Sequence, residues 1–198
     1  MGLLSSSVSI TRYKVIGEIN VDLLPFIMEG VKKYSIKDID HEPVEKTAGW
    51  TSFDNPYLPD LENTSCVIGT YFVFSLRVDK KSIPAKIVKK YYTAEVAKKL
   101  ADTEREHLSR NEKKEIKDNI INYLSLRIPA SPNIYDVLWN YEESSLWFFS
   151  NQKAANEELE TIFAKSFKLK LIRLFPYTMA DLSEKLSDKD RDRLSTLS

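Results

Sequence analysis

The chain has 198 residues, of which 29 are basic and 29 are acidic, so its formal net charge is zero. A hydrophobic fraction of 42% with five glycines excludes a disordered or low-complexity chain and indicates an ordered core. The single cysteine, Cys66, excludes an internal disulfide framework, and no apolar run is long enough to cross a bilayer. We therefore expect a cytoplasmic protein without a membrane partner.

The first third of the chain alternates between strand and helix patterns. Apolar periodicity predicts a strand over residues 8–16, a helix over residues 21–33 capped by Asn20, and a short strand or turn over residues 49–53. The strongest strand pattern covers residues 67–78. The helix is expected to bury Leu23, Leu24, Ile27 and Val31. The long strand is expected to carry Ile68, Phe72, Phe74 and Leu76 on one face and Val67, Tyr71 and Val73 on the other.

Two consecutive helices are predicted in the middle of the chain. Pro84 suits the first position of a helix, and an apolar stripe at i, i+4 spacing follows it. The residues of this stripe are Val88, Tyr92, Val96 and Leu100. Ser109 and Glu112 have the spacing of a capping box, which fixes the start and the phase of the second helix. That phase predicts an inward edge formed by Ile116, Ile120, Tyr123 and Leu124.

The rest of the chain predicts two strands, a helix and a final strand. Residues 134–139 and 146–149 flank a polar loop that is typical of a hairpin. Asn151 is predicted to cap the helix, and residues 169–175 alternate as a strand. The helix is expected to point Ala155, Leu159, Ile162 and Phe163 inward.

These elements predict an α+β fold with antiparallel sheets and helices packed on one face, in two halves of βαββ and ββαβ order. We predict a central α+β domain formed by residues 1–76 and 119–180. An inserted helical subdomain over residues 77–118 is expected to project from it like a tip. Residues 181–198 are predicted to be a polar, helical or frayed tail.

The charge of the chain is separated by region. Residues 77–118 contain 13 basic and 8 acidic side chains, so this segment is near +5 and the rest of the chain near −5. On the second helix, Arg110, Lys113, Lys114 and Lys117 fall on one side and the acids on the opposite side. One interpretation is a solvated helix face with paired charges. The other is a surface that neutralises the phosphates of a nucleic acid.

A metal-dependent nuclease site is a third interpretation of the charged residues. An Asp…Glu-x-Lys site needs carboxylates that converge on Mg²⁺, with its Glu-x-Lys motif on a strand. Glu112 and Glu115 both begin a Glu-x-Lys match, and Asp60 supplies a candidate aspartate, but both matches lie on a predicted helix. We therefore predict no catalytic site, no metal site and no cofactor.

The other reactive or aromatic residues have structural interpretations. His41 and His107 have no second ligand at metal spacing and are predicted to lie at the surface. Cys66 precedes a buried strand and is interpreted as a packed thiol. Trp139 and Trp147 lie on predicted strands, where packing in the core is favoured over stacking on unpaired bases.

Several short motifs occur in the order and near the spacing of one protein family, from residue 8 to about residue 180. They are Gly49-Trp50, residues 83–88, residues 111–118, Leu124 with Arg127, Trp139 and residues 151–158. This set resembles the RdgC family, recombination-associated proteins of bacteria. The resemblance also implies a chain that is shortened at its C-terminus. Where the family tends to have an aromatic residue and a second arginine, this sequence has Pro129 and Ser131.

The resemblance implies a nucleoid-associated protein that binds double-stranded DNA without sequence preference. It further implies a homodimer that closes into a ring with a basic inner surface and limits the access of RecA to DNA. The hypothesis assigns the DNA contacts to ten basic residues of the helical stretch. They are Lys86, Lys89, Lys90, Lys98, Lys99, Arg110, Lys113, Lys114, Lys117 and Arg127.

Two other functions remain open from the sequence. A protein-interaction or dimerisation module that has lost DNA binding would use the same projecting helices to dock a partner. A DNA exonuclease would agree with the name that the family sometimes carries, but it has no support from a motif.

Overall fold

The computed structural model of the protein describes residues 2–58, 60–61, 66–182 and 187–195. Its helices and antiparallel strands confirm the predicted α+β class. Within the described residues, no helix has both the length and the hydropathy needed to cross a membrane.

Seven strands of the described chain form one sheet. They are β1 (Thr11–Ile16), β2 (Lys46–Thr51), β3 (Val67–Ile68), β4 (Tyr71–Lys80), β5 (Ser131–Asn140), β6 (Ser145–Phe148) and β7 (Lys170–Arg173). Their order is β2-β4-β5-β6-β1-β7, and β3 pairs with β4. The ladders β1–β6, β1–β7, β3–β4 and β5–β6 are antiparallel. Strands from the two predicted halves therefore share a single sheet.

The helices are α1 (Leu23–Lys33), α2 (Ala85–Thr103), α3 (Arg110–Ser125), α4 (Lys153–Phe167), α5 (Pro176–Asp181) and α6 (Asp188–Ser195). Two predicted caps are wrong. The N-cap of α1 is Asp22, so Asn20 lies too far from the first free N–H groups, and the N-cap of α4 is Gln152, one residue after Asn151. In the predicted tail over residues 181–198, the structure forms α6, while α5 ends at the first tail residue and lies mostly before it. Residues 183–186 and 196–198 lie outside the described residues.

The predicted strand over residues 67–78 is in fact a short hairpin. Gly69, with a φ of +61°, is the left-handed residue that allows the chain to reverse between β3 and β4. Ile68 pairs with Tyr71 beside this turn, and directly opposite residues share a face, so the predicted placement of Ile68 on the face of Phe72 is wrong. Phe72, Phe74 and Leu76 alternate along β4 on one face, as predicted, and all three are buried.

The chain divides into two compact units. The scaffold unit contains the described residues of Met1–Ile36, Ala48–Arg77 and Ile134–Ser198. The helical unit contains Lys37–Thr47 and Val78–Asn133. The helical unit therefore includes the whole of α3 and an earlier loop, in addition to most of the segment 77–118.

Aromatic side chains form the core of the scaffold unit. The ring of Trp50 meets that of Phe74 edge-on at a centroid distance of 4.9 Å, and Trp139 meets Phe163 at 5.0 Å. Phe167 packs against Phe163 at 4.9 Å and lies among the other rings. All five side chains are almost fully buried, which confirms the core position predicted for Trp139.

Gly49 precedes Trp50 for a steric reason. A Cβ atom at position 49 would collide with the backbone of Ile36. That close approach allows Ile36 N–H to donate to the Trp50 carbonyl and Trp50 N–H to donate to the Tyr34 carbonyl, both at 2.9 Å. The Trp50 indole N–H donates to Ser166 Oγ at 2.8 Å. The Gly-Trp pair thus anchors one end of the core.

Two apolar residues that were predicted to be buried lie at the surface. Trp147 is 40% exposed, because the alternation of β6 turns Leu146 and Phe148 into the core and Trp147 to the opposite face. Leu24 is 47% exposed, and the buried positions of α1 are Ile27, Gly30 and Val31.

A buried polar network joins β1, α4 and β7 in the scaffold unit. The Tyr13 hydroxyl donates to Asn156 Oδ1 at 2.7 Å and lies 3.0 Å from Glu160 Oε1. Arg173 donates to the same Glu160 oxygen at 2.8 Å. Burial and the neighbouring Glu160 carboxylate raise the pKa of Tyr13 well above its usual range. The hydroxyl therefore keeps its proton in the folded protein.

A buried ammonium group holds together the segments of the helical unit. Lys81 is 5% exposed, and its Nζ donates to the carbonyl oxygens of Asp40 at 3.0 Å, Glu42 at 2.8 Å and Ser125 at 2.5 Å. Asp40 also accepts the Ala130 N–H at 2.8 Å. These bonds fasten the loop over residues 37–47 to the C-terminal end of α3.

Replacing Lys81 with methionine is expected to destabilise the protein by about 3 kcal/mol, because three carbonyl oxygens, one of them buried, lose a charged donor. Urea denaturation followed by circular dichroism measures the change. The neighbouring Lys80 is exposed, so Lys80→Met is a matched control that should stay within about 0.5 kcal/mol of the native protein. Equal unfolding midpoints for the two variants would contradict the role of Lys81.

Tyr13→Phe is expected to lower stability at neutral pH by about 1 kcal/mol, because the buried acceptors lose a donor. A raised pKa means that the folded state binds this proton more tightly than the unfolded state does. The contribution of Tyr13 is therefore complete below about pH 10, the usual tyrosine value, and is lost as the pH rises further. Urea midpoints should converge for the two proteins above that pH. A constant difference from pH 7 to pH 11 would refute the linkage.

Candidate nucleic-acid interface

The helical unit is built on a hairpin of α2 and α3. The buried residues of its core are Leu108, Ile116, Ile120 and Leu124. The predicted stripe of α2, formed by Val88, Tyr92, Val96 and Leu100, packs against this core, as expected from its i, i+4 spacing. The stripe is only partly covered, since none of the described side chains of α2 is fully buried.

The capping box at the start of α3 is confirmed. Ser109 N–H donates to Glu112 Oε2 at 2.8 Å, and Glu112 N–H donates to Ser109 Oγ at 3.3 Å. The first of these hydrogen bonds lowers the pKa of the Glu112 carboxyl below its usual value. Arg105 lies 3.4 Å from the other Glu112 oxygen. Glu112 is therefore occupied in holding the helix start.

The ten predicted DNA-contact residues all lie in the helical unit. Nine of them are exposed, and Lys99 is half-buried. Among the residues that the structure describes, none of the ten forms an ion pair at salt-bridge distance. A solvated face stabilised by i, i+4 pairs would engage its cations with neighbouring acids. Two of the ten have other charge interactions, Lys99 with the Glu112 carboxylate and Arg127 with the Tyr123 ring. The contact of the ten residues with DNA stays a prediction.

An interhelical groove of about 560 Å³ runs between α2 and α3. Its apolar wall contains Ile83, Val88, Tyr92 and Ile121, and its polar lining includes the side chains of Lys89 and Lys117. The sequence did not predict this groove, because it depends on how far apart the two helices pack.

An exposed aromatic pair lies beside the basic residues. Tyr91 on α2 and Tyr123 on α3 are 42% and 43% exposed, and their ring centroids are 6.3 Å apart. The guanidinium carbon of Arg127 lies 4.2 Å from the centre of the Tyr123 ring, and Lys90 Nζ lies 6.0 Å from that of Tyr91. These four residues are called the stacking cluster below.

The inward position predicted for Tyr123 is therefore wrong. The buried edge of α3 contains Ile116, Ile120 and Leu124, and Tyr123 lies about 100° around the helix from Leu124. The sequence did not predict the stacking cluster, because its two tyrosines lie on different helices. The consecutive pair Tyr91-Tyr92 carries a signal, since adjacent helical residues point about 100° apart and Tyr92 belongs to the predicted stripe.

The two histidines and the cysteine occupy the positions that the sequence predicted. In the described ranges, no group of three or more His, Cys, Asp or Glu side chains is placed to hold a metal ion. His41 and His107 are exposed, as predicted. Cys66 is buried, and burial raises the pKa of its thiol, which opposes formation of the reactive thiolate.

A family model described as "Putative exonuclease, RdgC" matches residues 37–188, which is most of the chain. The match includes the whole helical unit and every element from β2 to α5. It confirms the resemblance that the short motifs indicated. Among curated proteins, none matches the chain.

Proposed function

The chain belongs to the RdgC family, and on this premise we propose that it binds double-stranded DNA without sequence preference through its helical unit. The observation that supports the proposal is the set of exposed cations on α2 and α3 that lack acidic partners among the described residues. Lysine and arginine side chains in such a set neutralise phosphates and release condensed counterions. The free energy of this counterion release depends on the phosphate backbone of the duplex and not on its base sequence.

Local charge rather than net charge would drive this binding. The whole chain is neutral, but residues 77–118 have five more basic than acidic side chains. At physiological ionic strength the electrostatic field extends only about 8 Å from the surface, so the DNA would respond to the nearest groups. A duplex lying along the hairpin would therefore experience a basic surface.

The biological setting of this binding is also part of the proposal. The resemblance supports a nucleoid-associated homodimer in which DNA covered by the protein is less accessible to RecA. The effect on recombination would then follow from occupancy of the duplex and would require no chemical step.

The interhelical groove favours a second candidate function. An apolar wall with Lys89 and Lys117 beside it is complementary to a partner segment that carries acidic residues next to a large apolar side chain. The helical unit would then serve as a protein-interaction module. Failure of the native protein to bind duplex DNA even at low salt would favour this candidate.

The double variant Lys113→Glu/Lys117→Glu is expected to weaken duplex binding and to reduce the slope of log K against log salt by about two units, roughly 0.9 per lost phosphate contact. Fluorescence anisotropy of a labelled duplex at several salt concentrations measures both quantities. Lys32→Glu/Lys165→Glu changes the net charge equally on exposed positions of α1 and α4, and it serves as the control. Identical slopes for the two double variants would show that the predicted face does not contact DNA.

A further inference from the structure

The stacking cluster carries aromatic surface that the fold does not use. Tyr92 packs against the apolar core of the hairpin, whereas the adjacent Tyr91 leaves 42% of its surface exposed. Tyr123 is similarly exposed on the facing helix. In the part of the chain that the structure describes, neither hydroxyl takes part in a hydrogen bond. Both rings therefore lie at the surface of the hairpin and leave part of their area open to solvent.

Cations lie over both rings. The Arg127 guanidinium lies over Tyr123, with a separation of 4.2 Å, and Lys90 lies farther from Tyr91, with a separation of 6.0 Å. Arg127 follows the end of α3, where its backbone N–H donates to the Leu124 carbonyl at 3.0 Å. This bond fixes the backbone from which the Arg127 side chain extends over the Tyr123 ring.

Exposed aromatic rings next to cations without an acidic partner among the described residues are complementary to nucleobases joined by phosphates. Nucleobases stack on tyrosine rings and on guanidinium planes, while the phosphates that link them are attracted to lysine and arginine. Bases inside a duplex are already stacked on each other, and only unpaired bases present free faces. We propose that Tyr91, Tyr123 and Arg127 form a stacking site for unpaired nucleobases, such as those of a single strand or an overhang.

This inference rests on the proposed function, because the same basic face supplies the phosphate contacts. It extends that function to a junction between single-stranded and double-stranded DNA. The stacking cluster would bind the single-stranded part, and the lysines of α3 would bind the duplex. Leu126, which is 45% exposed, enlarges the apolar surface beside Arg127.

The test compares an oligo(dT) strand with a blunt duplex of equal length, by fluorescence anisotropy, in two double variants. Tyr91→Leu/Tyr123→Leu keeps apolar side chains but removes the rings, and we expect roughly tenfold weaker binding of the single strand. Its binding of the duplex should change less than twofold. Tyr91→Phe/Tyr123→Phe keeps the rings and should behave like the native protein. Circular dichroism confirms that each variant is folded.

A spectroscopic measurement makes the assignment specific to stacking. A single 2-aminopurine placed in the oligo(dT) strand loses fluorescence when its ring stacks. The native protein and the phenylalanine variant should quench it, and the leucine variant should not. Unchanged quenching in the leucine variant, or an equal loss of single-strand and duplex binding, would overturn the stacking site.

The two proposals fail in different ways. A native protein that binds the duplex but not the single strand overturns the stacking site and leaves the proposed function intact. A native protein that binds the single strand but not the duplex overturns the proposed function. The leucine variant then still shows whether the two tyrosine rings contribute to binding of the single strand.

Discussion

The packing of α2 against α3 through one apolar stripe is the constraint on which the rest of the helical unit depends. Because a residue of α2 faces the core at about every fourth position, the lysines between those positions must lie on the outside. The capping box at Ser109 fixes the start of α3 and hence the direction of every side chain along it. The basic surface is thus a geometric consequence of how the apolar residues pack.

The parts of the fold that were predictable are those encoded locally. Two of them are helix faces that repeat with the helical period, namely the apolar stripe of α2 and the inward face of α4. The other two depend on residues close together in sequence, namely the capping box of α3 and the hairpin of β5 and β6. For the candidate interface, the sequence identified which segment is basic and which basic residues of α3 face outward. It did so because both properties follow from spacing along a single helix.

The features that were missed depend on residues distant in sequence or on choices between neighbouring positions. Lys81 bonds carbonyl groups about 40 residues away in either direction, and no local pattern encodes those partners. Asn20 and Asn151 are good caps by residue type, but the helices begin at other positions. Tyr91 and Tyr123 lie on different helices, so their pairing appears only once α2 and α3 are packed.

The central claim is that a locally basic hairpin binds the DNA backbone in a chain whose net charge is zero. Its most direct test is fluorescence anisotropy of a labelled duplex with the native protein across a series of salt concentrations, with unlabelled competitors of different sequence. The account predicts that log K falls linearly with log salt by a slope equivalent to several released ions, and that every competitor displaces the duplex equally well. Absence of binding at low salt, or a strong preference for one sequence, would contradict it.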